Sequence, residues 1–245
     1  MKSTPHEPFA PTDVAAPSHA EAHAALQALA NPEKAAFLAG YFKTGVGQYG
    51  EGDRFLGVVV PAVRQLAKRF RHLSLADCQQ LLDSPYNEVR LLALLILVAH
   101  CERGDARVQA SVYDLYLARR HRVNNWNLVD TSAPTIVGGH LRTHDRDVLD
   151  ALARSSVLWD RRIAVLATFA FVREGDFADT LRLCTFLLGD PHDLIHKACG
   201  WMLREAGIRN PVVLADFVRS YQKQMPRTML RYAIERLAPE QQNGR

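Results

Sequence analysis

The sequence predicts an all-α fold, a curved solenoid of stacked antiparallel helix pairs, and three observations carry that prediction. From about Ala20 onward apolar residues recur at helical spacing nearly throughout, while strand signals are almost absent. Short breakers precede a strongly apolar helix again and again along the chain. Those helices begin roughly every 33 to 40 residues, the spacing of repeat proteins in which each unit buries its face against its neighbours.

Each element follows in order. Residues 1–20 are rich in Pro, Ala and His, and Pro5, Pro8, Pro11 and Pro17 exclude a regular helix. A disordered tail is expected over 1–20 and the folded domain over 21–240. Leu56–Val60 is the one β-branched run, and it ends at Pro61. Ser84-Pro85 precedes a helix over Asn87–Ala99, and Asn124-Asn125 precedes one over Trp126–Val137. Ser155-Ser156, Asp190-Pro191 and Pro226 introduce helices over Leu158–Val172, His192–Ala206 and Arg227–Leu237. Less apolar helices fill the gaps, as over Ala76–Leu82, Val148–Ala153 and Phe177–Leu188. The expected object is an α-solenoid of HEAT-like pairs whose second helices line a concave surface. A globular helical bundle is the competing architecture, and the regular spacing favours the solenoid.

Composition narrows the class. With 245 residues, 48% of them hydrophobic and 23% charged, the chain has material for a substantial core. The longest apolar runs, Leu91–Ala99 and Ile163–Val172, fall short of the ~20 residues that a membrane span requires. The N-terminus has no apolar signal-peptide core. The four cysteines, Cys78, Cys101, Cys184 and Cys199, lie far apart and form no CxxC, which argues against a disulfide framework. A soluble, cytoplasmic monomer is the expectation. Residues 1–40 set Lys2 and Lys34 against Glu7, Asp13, Glu21 and Glu33, a net of −2, which leaves +6 for the rest of a chain whose formal charge is +4. A basic body favours polyanionic partners, nucleic acid first.

The positive charge concentrates in the first turns of the apolar helices, at Arg90, Arg161, Arg162, His196, Lys197, Arg227 and Arg231. Stacked in parallel, these positions predict a continuous basic groove, with helix N-termini adding N–H donors for phosphate. Duplex DNA, with a charge every ~1.7 Å, suits such a row.

Asn124-Asn125-Trp126-Asn127-Leu128-Val129-Asp130 is the stretch that carries most chemistry. Trp126 and Asp130 are four apart and share a helix face. A ring face attracts cations by ~0.5–2 kcal/mol, and a carboxylate adds charge and can activate water. Alone, the pair reads sooner as a core aromatic beside a surface acid or a buried salt bridge. Trp159 with Arg162 and Lys197 with Trp201 repeat the aromatic–cation pairing in later helices. This placement sets Trp126 and Trp201 on either side of Arg162.

The segments NNWNLVDTSAPTIVG, LWDRRIAVLATF and DLIHKACGWMLRE, with YFKT near the start, resemble the AlkD-like DNA alkylation repair family from about Tyr41 to Leu237. The resemblance implies a superhelix of HEAT-like repeats that grips duplex DNA in its concave groove. It also implies hydrolysis of the N-glycosidic bond of N3- and N7-alkylated purines without metal or organic cofactor, with the sugar held from the groove side. Carried over by position, it assigns the catalytic carboxylate to Asp130, the cleft tryptophans to Trp126 and Trp201, the cleft arginine to Arg162 and an N-terminal contact to Tyr41. Arg162 is expected to grip the phosphate beside the lesion. Family members often carry Asp directly after the first cleft tryptophan, where this chain has Asn127.

Two motifs carry less. Gly45-Val46-Gly47-Gln48-Tyr49-Gly50 matches G-x-G-x-x-G but follows a helix and lacks the acid about 20 residues on that dinucleotide binding requires, so it reads as a connection between helices. His192, His196 and Cys199 share zinc-like spacing without a second ligand pair. The functional alternatives are a HEAT-like protein scaffold, with the tryptophans as hot spots, and a non-catalytic binder of DNA structure.

Overall fold

A computed structural model describes residues 17–236, and the regular elements among them are all helical. The expectations for residues 1–16 and 237–240 lie outside the described residues. Helix α1 (His19–Gln27) starts inside the stretch expected as tail. The Ser18 hydroxyl accepts from the Glu21 N–H while the Glu21 carboxylate reaches back to the Ser18 N–H, which satisfies two otherwise unpaired donors. Helix α2 (Pro32–Tyr41), capped by Asn31 with Pro32 at its first position, buries none of its residues fully. It leaves Phe37 and Tyr41 exposed.

A long connection leads to α3 (Val60–Arg69). The β-branched run in it forms no strand, and the one isolated bridge among the described residues joins Arg54 to Tyr86. Its backbone has a different partner. The buried Glu88 carboxylate accepts from the N–H groups of Leu56, Gly57 and Val58 at 2.8–3.2 Å, which replaces a neighbouring strand.

Five pairs follow. Helix α4 (Leu75–Leu82) pairs with α5 (Asn87–Arg103). Helix α6 (Ala106–Ala118) precedes α7 (Trp126–Ala133), which runs on through a π-helical turn, Pro134–Gly138, into α8 (Gly139–Leu141). Helix α9 (Asp147–Ala153) precedes α10 (Leu158–Ala167), continued by α11 (Phe169–Val172). Helix α12 (Ala178–Phe186) pairs with α13 (Asp193–Arg209), and α14 (Pro211–Tyr221) with α15 (Arg227–Ile234). The second helices begin where the breakers predict. Helix α13 starts one residue late because His192 is its cap, with Nδ1 accepting from the Leu194 N–H at 3.2 Å.

The second helices pack in succession, α3 on α5, α5 on α7, α7 on α10, α10 on α13 and α13 on α15, and so form a continuous inner layer. Leu92, Leu94, Ile96, Val137, Ile163, Leu166, Met202 and Leu203 are buried within it. Each contributes about 1.5–3 kcal/mol by leaving water. Such nearest-neighbour stacking is the all-α repeat arrangement predicted. No helix among the described residues is long and apolar enough to cross a membrane.

Candidate active site

Helices α7, α10, α13 and α15 meet at one cleft, and Asp130 lies within it. Helix α7 is set in place from its cap. The Asn125 side-chain oxygen accepts from the Trp126 N–H at 2.9 Å, while its amide nitrogen donates to Asp53 at 3.0 Å. Trp126 and Asp130 then fall on one face. Pro134 stands four residues after Asp130, and its missing N–H ends the regular hydrogen-bond ladder there, where the helix widens into the π turn. Gly138 in that turn lies so close to α10 that a Cβ would come within 2.1 Å of the Ala167 carbonyl oxygen.

Asp130 meets Arg162 of α10 as a two-point fork, Nε donating to Oδ1 and Nη2 to Oδ2, each at 2.7 Å. The third arm, Nη1, donates to the Leu194 carbonyl of α13 at 2.5 Å. One guanidinium therefore ties three successive repeats together and fixes the carboxylate plane. Arg162 is buried, whereas the Asp130 side chain keeps 21% of its surface open to the cleft. A carboxylate has about four lone-pair directions, and the fork uses two of them.

Aromatic rings wall the cleft, whose volume is about 380 Å³. Trp126 stacks on Phe42 (centroids 4.8 Å apart, planes 14° apart), Phe42 stacks on Phe55, and Tyr41 meets Trp126 edge-on at 6.0 Å. Across the cleft Trp201 donates from Nε1 to Glu205 at 3.2 Å and leans on Phe169. Tyr49, Lys197, Arg204 and Tyr232 complete the lining.

An anchored carboxylate among indole and phenol rings offers charge and ring faces that attract cations. The profile of the DNA alkylation repair enzyme family matches residues 22–237. The chain belongs to the DNA alkylation repair enzyme family. Among solved structures, a predicted DNA alkylation repair enzyme from Enterococcus faecalis superposes with a TM-score of 0.66 at 17% identity, covering 86% of this chain and 97% of its own. At that identity the likeness concerns the fold. No curated protein matches the chain by sequence.

In this member of the family the cleft brings together Tyr41, Trp126, Asp130, Arg162, Lys197 and Trp201. The predicted row of cations is only partly there. Arg90 is 1% exposed and spent internally, with Nη2 on Asp53 at 2.5 Å and Nη1 on the Ser84 carbonyl at 2.9 Å. Burial pulls its pKa down despite the Asp53 charge beside it. Buried there it does not reach a phosphate, so Arg90 is no part of a DNA-binding face. Arg161 fastens two breakers, with Nε on Asp190 at 2.6 Å and Nη1 on the Ser155 and Ser156 carbonyls at 3.0 Å. His196 Nε2 sits 2.6 Å from the Asp190 carbonyl. Arg162 is turned toward Asp130 and Leu194, so its fork orients the acid where a phosphate grip was expected. Lys197 pairs with Asp193 on its own helix, and Arg227 and Arg231 are exposed on α15. The helix N-termini of α7 and α13 are already capped, by Asn125 and His192, so they offer less to an anion than anticipated.

Sequence reasoning missed Tyr49, Arg204 and Tyr232. Arg204 had a signal, since it follows Lys197 and Trp201 on the same face of α13 at i+7 and i+3. Its Nε is buried without a hydrogen-bond partner, and Nη1 reaches Glu235. Tyr49 lay within the glycine-rich segment read as a connection between helices. Asp53 was missed altogether. Its buried carboxylate accepts from Arg90, Asn87, Asn124 and Asn125 and so holds the start of α7.

Proposed function

We propose that the chain is a DNA glycosylase that releases N3- or N7-alkylated purines from duplex DNA by hydrolysis. The observation that carries this reading is Asp130, held in plane by Arg162 within a cleft between Trp126 and Trp201. An alkylated purine is already a cation, so it leaves without a general acid. The bond from C1′ to the purine nitrogen breaks, its electron pair neutralises the base, and positive character moves to the sugar. Asp130 and the ring faces stabilise that charge most in the transition state, where binding accelerates the reaction. The two lone-pair directions free of Arg162 hold a water for attack on C1′ and take up its proton, leaving a neutral alkylpurine and an abasic site. The chemistry requires no metal or organic cofactor. Lys197 and Arg204 on the cleft wall, with Arg227 and Arg231 beyond it on α15, supply cations for the phosphates of double-stranded DNA.

The test is Asp130→Asn on duplex DNA carrying 7-methylguanine. The amide keeps the shape and one acceptor for Arg162 but loses the charge. Excision is expected to fall at least ~10²-fold, while affinity for the duplex stays nearly unchanged. Excision close to wild type would remove Asp130 from the mechanism, whereas a wild-type protein that binds the duplex and releases no base would be a DNA-structure binder.

A further inference from the structure

The two tryptophans of the cleft are held by different means. Trp126 is fixed through its ring, stacked on Phe42 at 4.8 Å with the planes 14° apart. Trp201 only leans on Phe169, 6.1 Å away and tilted by 49°. Its fixed point is the indole N–H, which donates to Glu205 Oε1 at 3.2 Å. Glu205 stands one turn further along α13, with 17% of its side chain exposed. It lies outside the set of side chains that line the cleft, so what it does to a ligand it does through the ring.

The carboxylate is itself held. Arg209, another turn along, donates from Nη1 to Glu205 Oε2 at 3.2 Å and to the Glu205 carbonyl oxygen at 3.0 Å. One carboxylate oxygen is thereby taken up, and the other is left to the indole. Arg209 also lies over the Phe169 ring at 5.8 Å, and Arg173 over the same ring at 4.3 Å, so two guanidinium groups fix the ring on which Trp201 leans. Trp201, Glu205 and Arg209 thus run in i, i+4 steps down one face of α13.

A hydrogen bond to an ionised acceptor is about twice as strong as a neutral one. It sets the rotation of a ring that stacking alone does not set. An indole that donates to an anion also shifts electron density from the N–H into its π system, and members of such a chain polarise one another. A more electron-rich face attracts a cation more strongly. Resting on the glycosylase reading, we propose that Glu205 is a positioning residue of the reaction: it sets the plane of Trp201 and enriches its face for the cationic sugar of the transition state.

Two duplexes that cannot be cleaved test this. One carries a cationic pyrrolidine ring in place of a deoxyribose, the other the neutral tetrahydrofuran ring of the same shape. Binding to the pair reads the attraction for charge on the sugar without any turnover. Wild-type protein is expected to bind the pyrrolidine duplex more tightly. Glu205→Ala should narrow that preference at least ~5-fold, within the span of one cation–π contact, and leave affinity for undamaged duplex unchanged. Glu205→Gln keeps the size of the side chain and an acceptor for the indole but loses the charge, and should fall between the two. The indole N–H resonance of Trp201, assigned by its loss in Trp201→Phe, should move in Glu205→Ala and stay near its place in Glu205→Gln. Equal affinity of the wild type for both rings, or an undiminished preference in Glu205→Gln, overturns the inference. The isosteric variant decides the matter even where Glu205→Ala fails to fold. Release of 7-methylguanine by the wild type in that case leaves the glycosylase reading standing. A preference that Glu205→Ala loses, in a protein that releases no base, does the reverse.

Discussion

Replacing Asp53 by asparagine tests the frame of the site without reference to its function. Asp53 and Arg90 each expose 2% of their side chains, and 2.5 Å separates them. Removing one charge of a buried pair costs about 3–5 kcal/mol, because the other is left uncompensated. Asparagine also turns an NH2 group toward a site filled by the donors of Asn87, Asn124, Asn125 and Arg90. At least one donor then goes unsatisfied, at about 1–3 kcal/mol. The low ends sum to about 4 kcal/mol, a large share of the ~5–15 kcal/mol that stabilises a typical domain. At about 2–4 °C per kcal/mol for a chain of this size, melting should fall by about 8–16 °C. Urea unfolding followed by circular dichroism measures the free energy directly. Arg90→Met and the double variant close a cycle. If the two charges depend on each other, Asp53→Asn in the Arg90→Met background costs at least ~2 kcal/mol less than in the wild type. A loss below ~1 kcal/mol for the single variant, or strict additivity in the cycle, would refute the claim that this buried pair anchors the start of α7.

The remaining expectations concern surface charge and pH. Arg227→Ala and Lys197→Ala should weaken binding to any duplex and reduce the salt dependence of affinity by about one unit of slope each. Arg161→Ala should lower the melting temperature and leave that slope unchanged; a shifted slope for Arg161 would return it to the DNA-facing set. Hydrogen bonding from Ser74, then from His19, holds Asp77 down at about 2, from an ordinary value of 3.8. A carboxyl depressed in the fold stabilises it above its unfolded pKa and loses that contribution as pH falls through the folded value. The attachment of α1 to α4 should therefore survive acidification past about pH 4 and loosen only as pH approaches 2. Hydrogen exchange of the α1 amides would show this, and loss of protection near pH 5 would contradict it.

The helical pairs were legible because periodicity and breakers are local properties. Asn125, Pro191 and Pro226 act at their own positions, and the second helices begin beside them. The Trp126–Asp130 pair was legible for the same reason, as four residues of helix bring both to one face. The pairing of Leu56–Val58 was not legible, because its backbone partner is a side chain some 30 residues away, Glu88, and sequence holds no mark of a carboxylate standing in for a strand. Asp53 and Tyr49 were hidden in the same way. The partners of Asp53 include Asn124 and Asn125, which read only as a helix breaker, and Tyr49 meets Trp159 and His192 across three repeats.

The miscounted cations have a cause in helix register. Counting from the first residue of each second helix, the fourth positions include Arg90, Arg161 and His196, and the fifth include Leu91, Asp130, Arg162, Lys197 and Arg231. Three of the fourth positions turn toward the breakers that join the two helices of a pair. Arg90 bonds the Ser84 carbonyl, Arg161 bonds Ser155, Ser156 and Asp190, and His196 bonds Asp190. The fifth positions of α7, α10 and α13 line the cleft, and that of α5, Leu91, lines an apolar groove with Phe37, Phe42 and Asn127. One residue along a helix is a rotation of about 100°, because a turn holds 3.6 residues. A first-turn cation therefore has no fixed meaning until its register is known. At Arg90, Arg161 and His196 the fourth residue fastens the breaker before its own helix, and the fifth decides what the concave surface offers a ligand. The change at that fifth position from leucine through aspartate and arginine to lysine is what turns one repeated scaffold position into an apolar groove, an anchored acid and a cationic wall.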